Sequence, residues 1–376
     1  MDKSLARNHF RPSFGMSPLY LAGRADWIRQ FQLSLFEPGN PLRVSLISGP
    51  RGIGKTVLLN EFEDTASRYG WVVLRAYPRD NMIEHLMETV IPTAVHKLQH
   101  ESETKRSISG FTIAGVGGIN FESRAGSTST AKPTLNTMLR DLLAKVEGIF
   151  ITIDEVQSAP IDGMHELATT IQDLRRDELN IAFAGAGLQV GIDELLNHEG
   201  MTFLRRAEMI QLTMVPHQDV ANTLSETMEE SKKHFVDNSL TNAAALTHGY
   251  PYLIQTVGSL LWAQAEIDQQ TTITETTVIK ITNDVIVRIG HQVHRPALVT
   301  ISERELTFLL LMAELGPQPV STATIAERMG LKANAASQVR AKLLGRELIE
   351  APARGVVDFT LPYMREYLQA TFNDKA

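Results

Sequence analysis

Eight residues constrain this chain more than any other stretch. Positions 49–56 read Gly-Pro-Arg-Gly-Ile-Gly-Lys-Thr, a complete G-x-x-x-x-G-K-[ST] pattern. The apolar run from Arg43 to Ser48 leads into it, and a helix-forming stretch from Val57 to Ala66 leaves it. Strand, glycine-rich loop and helix in that order require an α/β fold. Gly49, Pro50, Arg51, Gly52, Ile53 and Gly54 supply a backbone that can curl so that its N–H groups point at phosphate oxygens. The helix opening through Val57 adds positive potential. Lys55 would reach the β- and γ-phosphates, and the Thr56 hydroxyl would hold Mg²⁺. The pattern predicts a nucleoside triphosphate site.

Such a loop needs a partner strand that ends in acids. Residues 149–155, Ile-Phe-Ile-Thr-Ile-Asp-Glu, supply one. Its four bulky apolar residues describe a strand buried on both faces of a parallel sheet. The carboxylates fall at its C-terminal end, where such sheets bind ligands. Asp154 would act on Mg²⁺ through the ion's water shell. Glu155 would orient or deprotonate the attacking water, the step that separates hydrolysis from binding. Further strands are expected at Trp71–Ala76, Asn180–Gly185 and Glu208–Leu212. Helices are expected at Thr134–Val146 and Met164–Arg176.

Composition removes whole classes of chemistry. The chain has 376 residues and no cysteine, which excludes disulfides, thiolate metal sites and a cysteine nucleophile. Its first residues are polar and lack an apolar signal core, and no apolar run is long enough to span a bilayer, so the cytoplasm is the expected location. A net charge of −7 means that contact with nucleic acid would need a local basic patch.

Ser109–Glu122, SGFTIAGVGGINFE, centres on Gly117-Gly118 with alternating apolar residues on each side. It reads as a β-hairpin inserted at about 101–132, either structural or a functional pore or DNA-contacting loop. The flanking Glu101–Arg106 and Ser123–Lys132 are polar, charged or Ser/Thr/Gly-rich and read as mobile.

The order of these motifs resembles AAA+ and STAND-type P-loop ATPases, especially bacterial and archaeal proteins related to origin-recognition ATPases. The resemblance extends to Pro18-Leu19-Tyr20-Leu21-Ala22-Gly23-Arg24, similar to a family segment that packs on adenine, which implies Leu21 and Gly23 near the base. Asp26–Leu35 then forms an amphipathic helix with Trp27, Ile28, Phe31 and Leu35 on its apolar side. Where many AAA+ proteins carry a polar sensor of the γ-phosphate, this chain has Gly185, Ala186 and Gly187. The resemblance therefore implies slow hydrolysis. Arg205 and Arg206 resemble the arginine-finger region, where a cation from a neighbouring subunit stabilises the transition state; capping a helix is the alternative. His248–Gln255 resembles the G-x-P segment of STAND lids, with Pro251 in a first helical turn. Relatives often carry an arginine where Tyr252 stands. Helices at Pro216–Ser231, Val236–Leu246 and Tyr250–Ala265 complete a helical lid.

From about Arg295 the pattern becomes helix, helix, turn, helix and a two-stranded wing, which resembles a winged helix-turn-helix. The helices are expected at Glu303–Leu315, Ser321–Met329 and Asn334–Leu344, and the strands at Leu348–Ala351 and Val356–Leu361. Between Arg328 and Arg346 there are five basic residues and no acid. Lys332, Arg340, Lys342 and Arg346 could neutralise phosphates, while Asn334, Ser337 and Gln338 could reach base edges. Protein contact is the other use of such a domain.

These readings combine into three domains: a P-loop core over 1–214, a lid over 215–294 and a winged helix over 295–376. The expected activity is an ATP- and Mg²⁺-dependent switch coupled to double-stranded DNA, with homo-oligomerisation or a partner protein as further expectations. The competing reading is a nucleotide-binding adaptor whose winged helix contacts protein.

Overall fold

A computed structural model describes residues 7–13, 16–109, 133–317 and 319–372. The chain divides into two compact units. One comprises Trp27–Ser48 and Leu59–Ile210, and the other Met1–Asp26, Gly49–Leu58 and Gln211–Ala376.

The first unit is built on a five-stranded sheet: β1 (Val44–Ser48), β2 (Trp71–Arg75), β3 (Gly148–Ile153), β4 (Ile181–Gly187) and β5 (Glu208–Gln211). Their order is β2-β3-β4-β1-β5, and the β2–β3, β3–β4 and β4–β1 pairs are parallel. Every residue of β1, β3 and β4 is buried, as expected of strands covered on both faces. Placing β4 between β1 and β3 brings the ends of both motif-bearing strands to one edge of the sheet, one strand apart. Helices Ala25–Ser34, Leu135–Leu143 and Ile161–Arg176 pack their apolar sides on this sheet. Phe31 stacks on Phe62 at 4.2 Å and meets Phe150 at 4.9 Å, so the first helix, the helix after the glycine loop and β3 share one aromatic core.

Helical structure also runs from Met82 to Ser109, through one wide turn at Leu86–Val90. Residues 101–106, read from sequence as mobile, belong to this helix. The expected hairpin lies outside the described residues from position 110 onward.

In the second unit, helices His217–Glu230, Ser239–Leu246, Pro251–Ile267 and Glu275–Ile289 form the lid, with β6 (His234–Phe235) and β7 (Thr272–Ile273) paired between them. Helical structure continues through Leu298, across the 294/295 boundary expected from sequence. The C-terminal part has helices Glu303–Glu314, Thr322–Arg328 and Ala333–Gly345 and a small sheet of β8 (Val320–Ser321), β9 (Ile349–Glu350) and β10 (Val356–Phe359), ordered β8-β10-β9. This arrangement is consistent with a winged-helix domain. A final helix, Met364–Phe372, packs back on the lid. Tyr363 Oη donates to Leu246 O at 2.8 Å, and the Tyr367 ring lies 5.3 Å from His294.

Candidate nucleotide site

The glycine loop is shaped by backbone that side chains would not tolerate. Gly49, Gly52 and Gly54 have φ of 144°, 76° and 96°, a region open to glycine at no steric cost. A Cβ on Gly49 would stand 2.6 Å from Leu212 O, and one on Gly52 would stand 2.0 Å from Tyr250 Oη. Gly54 faces open space. The curl is closed by Ile53 N donating to Pro50 O and Leu58 N donating to Gly54 O. The helix starts at Lys55, two residues earlier than expected, so its positive end borders the loop. Lys55 is 8% exposed, and its ammonium donates to Gly49 O at 2.6 Å and Pro50 O at 3.1 Å. Arg51 and Thr56 are exposed, while Ile53 is buried beneath the loop. A glycine-lined turn with a bordering helix N-terminus, an ammonium and a hydroxyl is a donor set that fits a triphosphate with its Mg²⁺.

Other segments close on the same loop through the linker that follows β5. Gly49 presses on Leu212, and a Cβ on Gly23 would meet Val215 at 3.1 Å. One on Gly249 would meet the Val215 carbonyl at 2.4 Å. All three glycines have positive φ. Arg24 is buried and donates to Thr213 O at 2.6 Å, fastening the N-terminal box to this linker. Leu21 is half-buried and Gly23 exposed. Val215 N in turn donates to Gly249 O at 2.8 Å. Pro251 opens its helix as expected, where a missing N–H costs nothing. Preceding it, Tyr250 is fully buried and donates its hydroxyl to Arg51 O at 2.9 Å. Burial raises this phenol above its ordinary range, so the donor proton stays in place. Sequence reading stopped at Pro251 and Tyr252; the loop contact belongs to Tyr250.

The acidic pair lies at the end of β3, in the sheet unit. Asp154 Oδ1 accepts from Glu155 N at 3.0 Å, and Glu155 is exposed with φ of 53°. Gln157 Nε2 donates to Glu155 Oε2 at 2.6 Å. One residue before the strand ends, Thr152 Oγ1 donates to the buried Glu63 at 2.6 Å, and Glu63 also pairs with Arg75. Glu63 sits on the helix after the glycine loop, so this buried network ties that helix to β3. Sequence reading missed both Glu63 and Gln157.

Arg205 and Arg206 separate in their surroundings. Arg205 Nε donates to Leu196 O at 2.6 Å and Nη2 to His198 O, which caps helix Gln189–Asn197. Arg206 is exposed. The resemblance left open which of the two would be a finger; Arg205 is the one engaged with carbonyls of its own chain.

The residues assigned to nucleic acid also divide. On helix Ala333–Gly345, Ala336, Val339 and Leu343 face the core. Asn334, Ser337, Gln338 and Lys342 are exposed on the other side, with Lys332 at the helix start. Arg340 is half-buried. Arg346 is exposed but engaged: its guanidinium pairs with the buried Glu305 at 3.1 Å and donates to Thr300 Oγ1.

Sheet order, glycine loop and acid-tipped β3 match a P-loop AAA+ fold. Residues 20–183 match the AAA ATPase domain family, and residues 291–368 match a domain family of unknown function, DUF8462. No curated protein matches the sequence. Among solved structures, the Aeropyrum pernix ORC2 protein, determined as ADPNP–ADP complexes, shares 15% identity. It aligns over 97% of each chain with a TM-score of 0.63. A Walker-type ATPase of Pyrococcus abyssi has the same identity and TM-score over 93% of this chain and 96% of its own. The chain thus carries an AAA ATPase domain and resembles origin-recognition proteins in fold. Among the described residues no helix is long and apolar enough to cross a membrane.

Proposed function

We propose that this chain binds ATP with Mg²⁺, hydrolyses it slowly, and uses nucleotide occupancy to set how its winged helix engages double-stranded DNA. The domains are then the core over 1–214, the lid over 215–294 and the winged helix over 295–376. Gly49 to Val57 hold the phosphates, with Leu21 and Gly23 toward the base and the Pro251 segment beside the triphosphate. Lys55 offsets charge on the terminal phosphate. Mg²⁺, held by Thr56 and through water by Asp154, would neutralise charge on the transferred group. Glu155 orients water and takes its proton as the water attacks the γ-phosphorus and ADP leaves.

The observation that carries this reading is the bond from Tyr250 to Arg51. It places a lid side chain directly against the phosphate loop. Two residues earlier, the His248 ring meets the Tyr363 ring at 4.8 Å, at the start of the last helix. Phosphate on the loop would therefore act on a segment that also touches the C-terminal domain. Only differential contact of this kind can shift a conformational equilibrium.

An adaptor that holds nucleotide without turnover is the second reading, favoured by the absence of a polar side chain at residues 185–187. Steady-state turnover of wild type and Glu155→Gln decides between them. The switch reading expects measurable wild-type turnover that the variant loses. Equal, negligible rates with ATP still bound would leave the adaptor.

A further inference from the structure

The turn after the acidic pair carries a carboxamide with an unusual setting. Gln157 Nε2 holds Glu155 Oε2 at 2.6 Å, while its Oε1 is buried without a hydrogen-bond partner among the described residues. Its side chain occupies space that two glycines leave open. A Cβ on Gly187, the last residue of β4, would stand 2.2 Å from Oε1. One on Gly191, inside helix Gln189–Asn197, would stand 2.5 Å from the Gln157 Cβ and Cγ. Neither glycine has positive φ, so alanine suits the backbone at both positions. A helix-interior glycine is unfavourable relative to alanine. At both positions the nearest obstacle is Gln157.

We infer that Gln157 is a positioning residue for hydrolysis, supplying from the turn after β3 the carboxamide that residues 185–187 lack. This rests on Glu155 being the group that orients water. Glu155 is exposed, and a free glutamate samples many rotamers. A charge-assisted bond from Nε2 fixes one carboxylate oxygen and leaves the other to face water. A buried amide oxygen left without a donor is costly compared with an apolar side chain of the same size. Gln157 keeps that cost because its N–H has a partner whose orientation matters.

The test compares Gln157→Met, which keeps the packing volume and removes the donor, and Gly187→Ala, which expels the side chain. Each is made in the wild-type and Glu155→Gln backgrounds. Equilibrium ATP binding and single-turnover hydrolysis with Mg²⁺ are measured for all. Both variants are expected to bind ATP within about 3-fold of wild type yet hydrolyse it about 10-fold or more slowly, the loss typical of a misplaced reacting group. Adding Gln157→Met to Glu155→Gln should slow hydrolysis no further, because the glutamine acts only through the glutamate. Wild-type or faster turnover by Gln157→Met, or losses that multiply in the double variant, would overturn the inference. If Glu155→Gln itself matches wild type, the assignment of Glu155 fails first and the inference falls with it. A loss in Glu155→Gln without one in Gln157→Met rejects the glutamine alone.

Discussion

The phenol of Tyr250 donates to the backbone carbonyl of Arg51 at 2.9 Å, joining positions 199 residues apart. Its ring fills the space above Gly52, where even a Cβ would lie 2.0 Å from the hydroxyl oxygen. The lid therefore braces the phosphate loop at Arg51 and Gly52. Tyr250→Phe should cost about 1 kcal/mol of stability, the net worth of one hydrogen bond, and should reduce the rise in Tm that ATP produces. Gly52→Ala should abolish most of that rise, since it meets both the tyrosine and a φ of 76°. Thermal melts with and without ATP check both. An unchanged ATP-induced shift in Gly52→Ala would refute the supporting role.

The two arginines after helix Gln189–Asn197 should behave differently. Arg205→Ala removes a C-terminal cap and should lower stability by about 1 kcal/mol, with turnover per folded molecule retained. Arg206→Ala should leave stability and ATP affinity unchanged and reduce turnover at protein concentrations where subunits associate, as expected of a finger acting in trans. Turnover measured against protein concentration distinguishes them.

On helix Ala333–Gly345 the exposed stripe of Asn334, Ser337, Gln338 and Lys342 carries no acid. Lys332→Ala with Lys342→Ala should weaken double-stranded DNA binding and lower the dependence of log K on log salt by roughly one unit per lost phosphate contact. Arg346→Ala should act mainly on folding, because it leaves the buried Glu305 without its ion pair. The cost is about 2 kcal/mol, a discounted figure because the Arg346 side chain is 38% exposed. Anisotropy titrations at several salt concentrations, beside melts, separate the two effects.

His294 supplies a pH test. It is fully buried where the lid meets helix Met364–Phe372, and burial, partly opposed by the Pro362 backbone, pushes it down to about 4. In the unfolded chain it takes up a proton near its ordinary value of 6.5, while the folded chain does not. Its neutral form therefore supports folding fully above pH 6.5, and that support is lost as pH falls toward 4. Between pH 8 and pH 5 the loss is about 2 kcal/mol. His294→Leu should flatten the corresponding part of the pH–Tm curve. Parallel curves for wild type and variant would contradict this assignment.

Much of the fold was legible because its signals are local. β1 and β3 are short, mostly apolar runs, and the glycines of positions 49–54 announce a turn whatever surrounds it. The C-terminal helices and the wing strands β9 and β10 followed from apolar spacing and the Arg354-Gly355 turn. Short pairings were hidden: β8 has two residues, and only β10, more than thirty positions later, makes Val320 and Ser321 a strand. Helix Glu275–Ile289 has a capping box closed by two threonines, Thr274 and Thr277, instead of the usual glutamate, and offered a weak start signal. Helix Met82–Ser109 is interrupted by a wide turn that breaks the 3.6-residue period.

The site divides in the same way. Lys55, Thr56, Asp154 and Glu155 stand out because their chemistry is written in adjacent residues. Tyr250, Glu63 and Gln157 depend on contacts with Arg51, Thr152 and Gly187, each 30 or more positions away. No single-segment pattern announces such contacts. The separation of Arg205 from Arg206, and of the ion-paired Arg346 from Lys332 and Lys342, likewise required knowing which carbonyls and acids stand nearby.

Equilibrium ATP binding in the presence of Mg²⁺, measured by calorimetry for wild type and Lys55→Ala, tests the account at its base. Wild type should bind one ATP per chain with saturable heat, and Lys55→Ala, folded to the same Tm, should bind at least about tenfold more weakly, the effect of losing one buried charge-assisted contact. No ATP binding by wild type, or equal affinity in the two proteins, would contradict the nucleotide site.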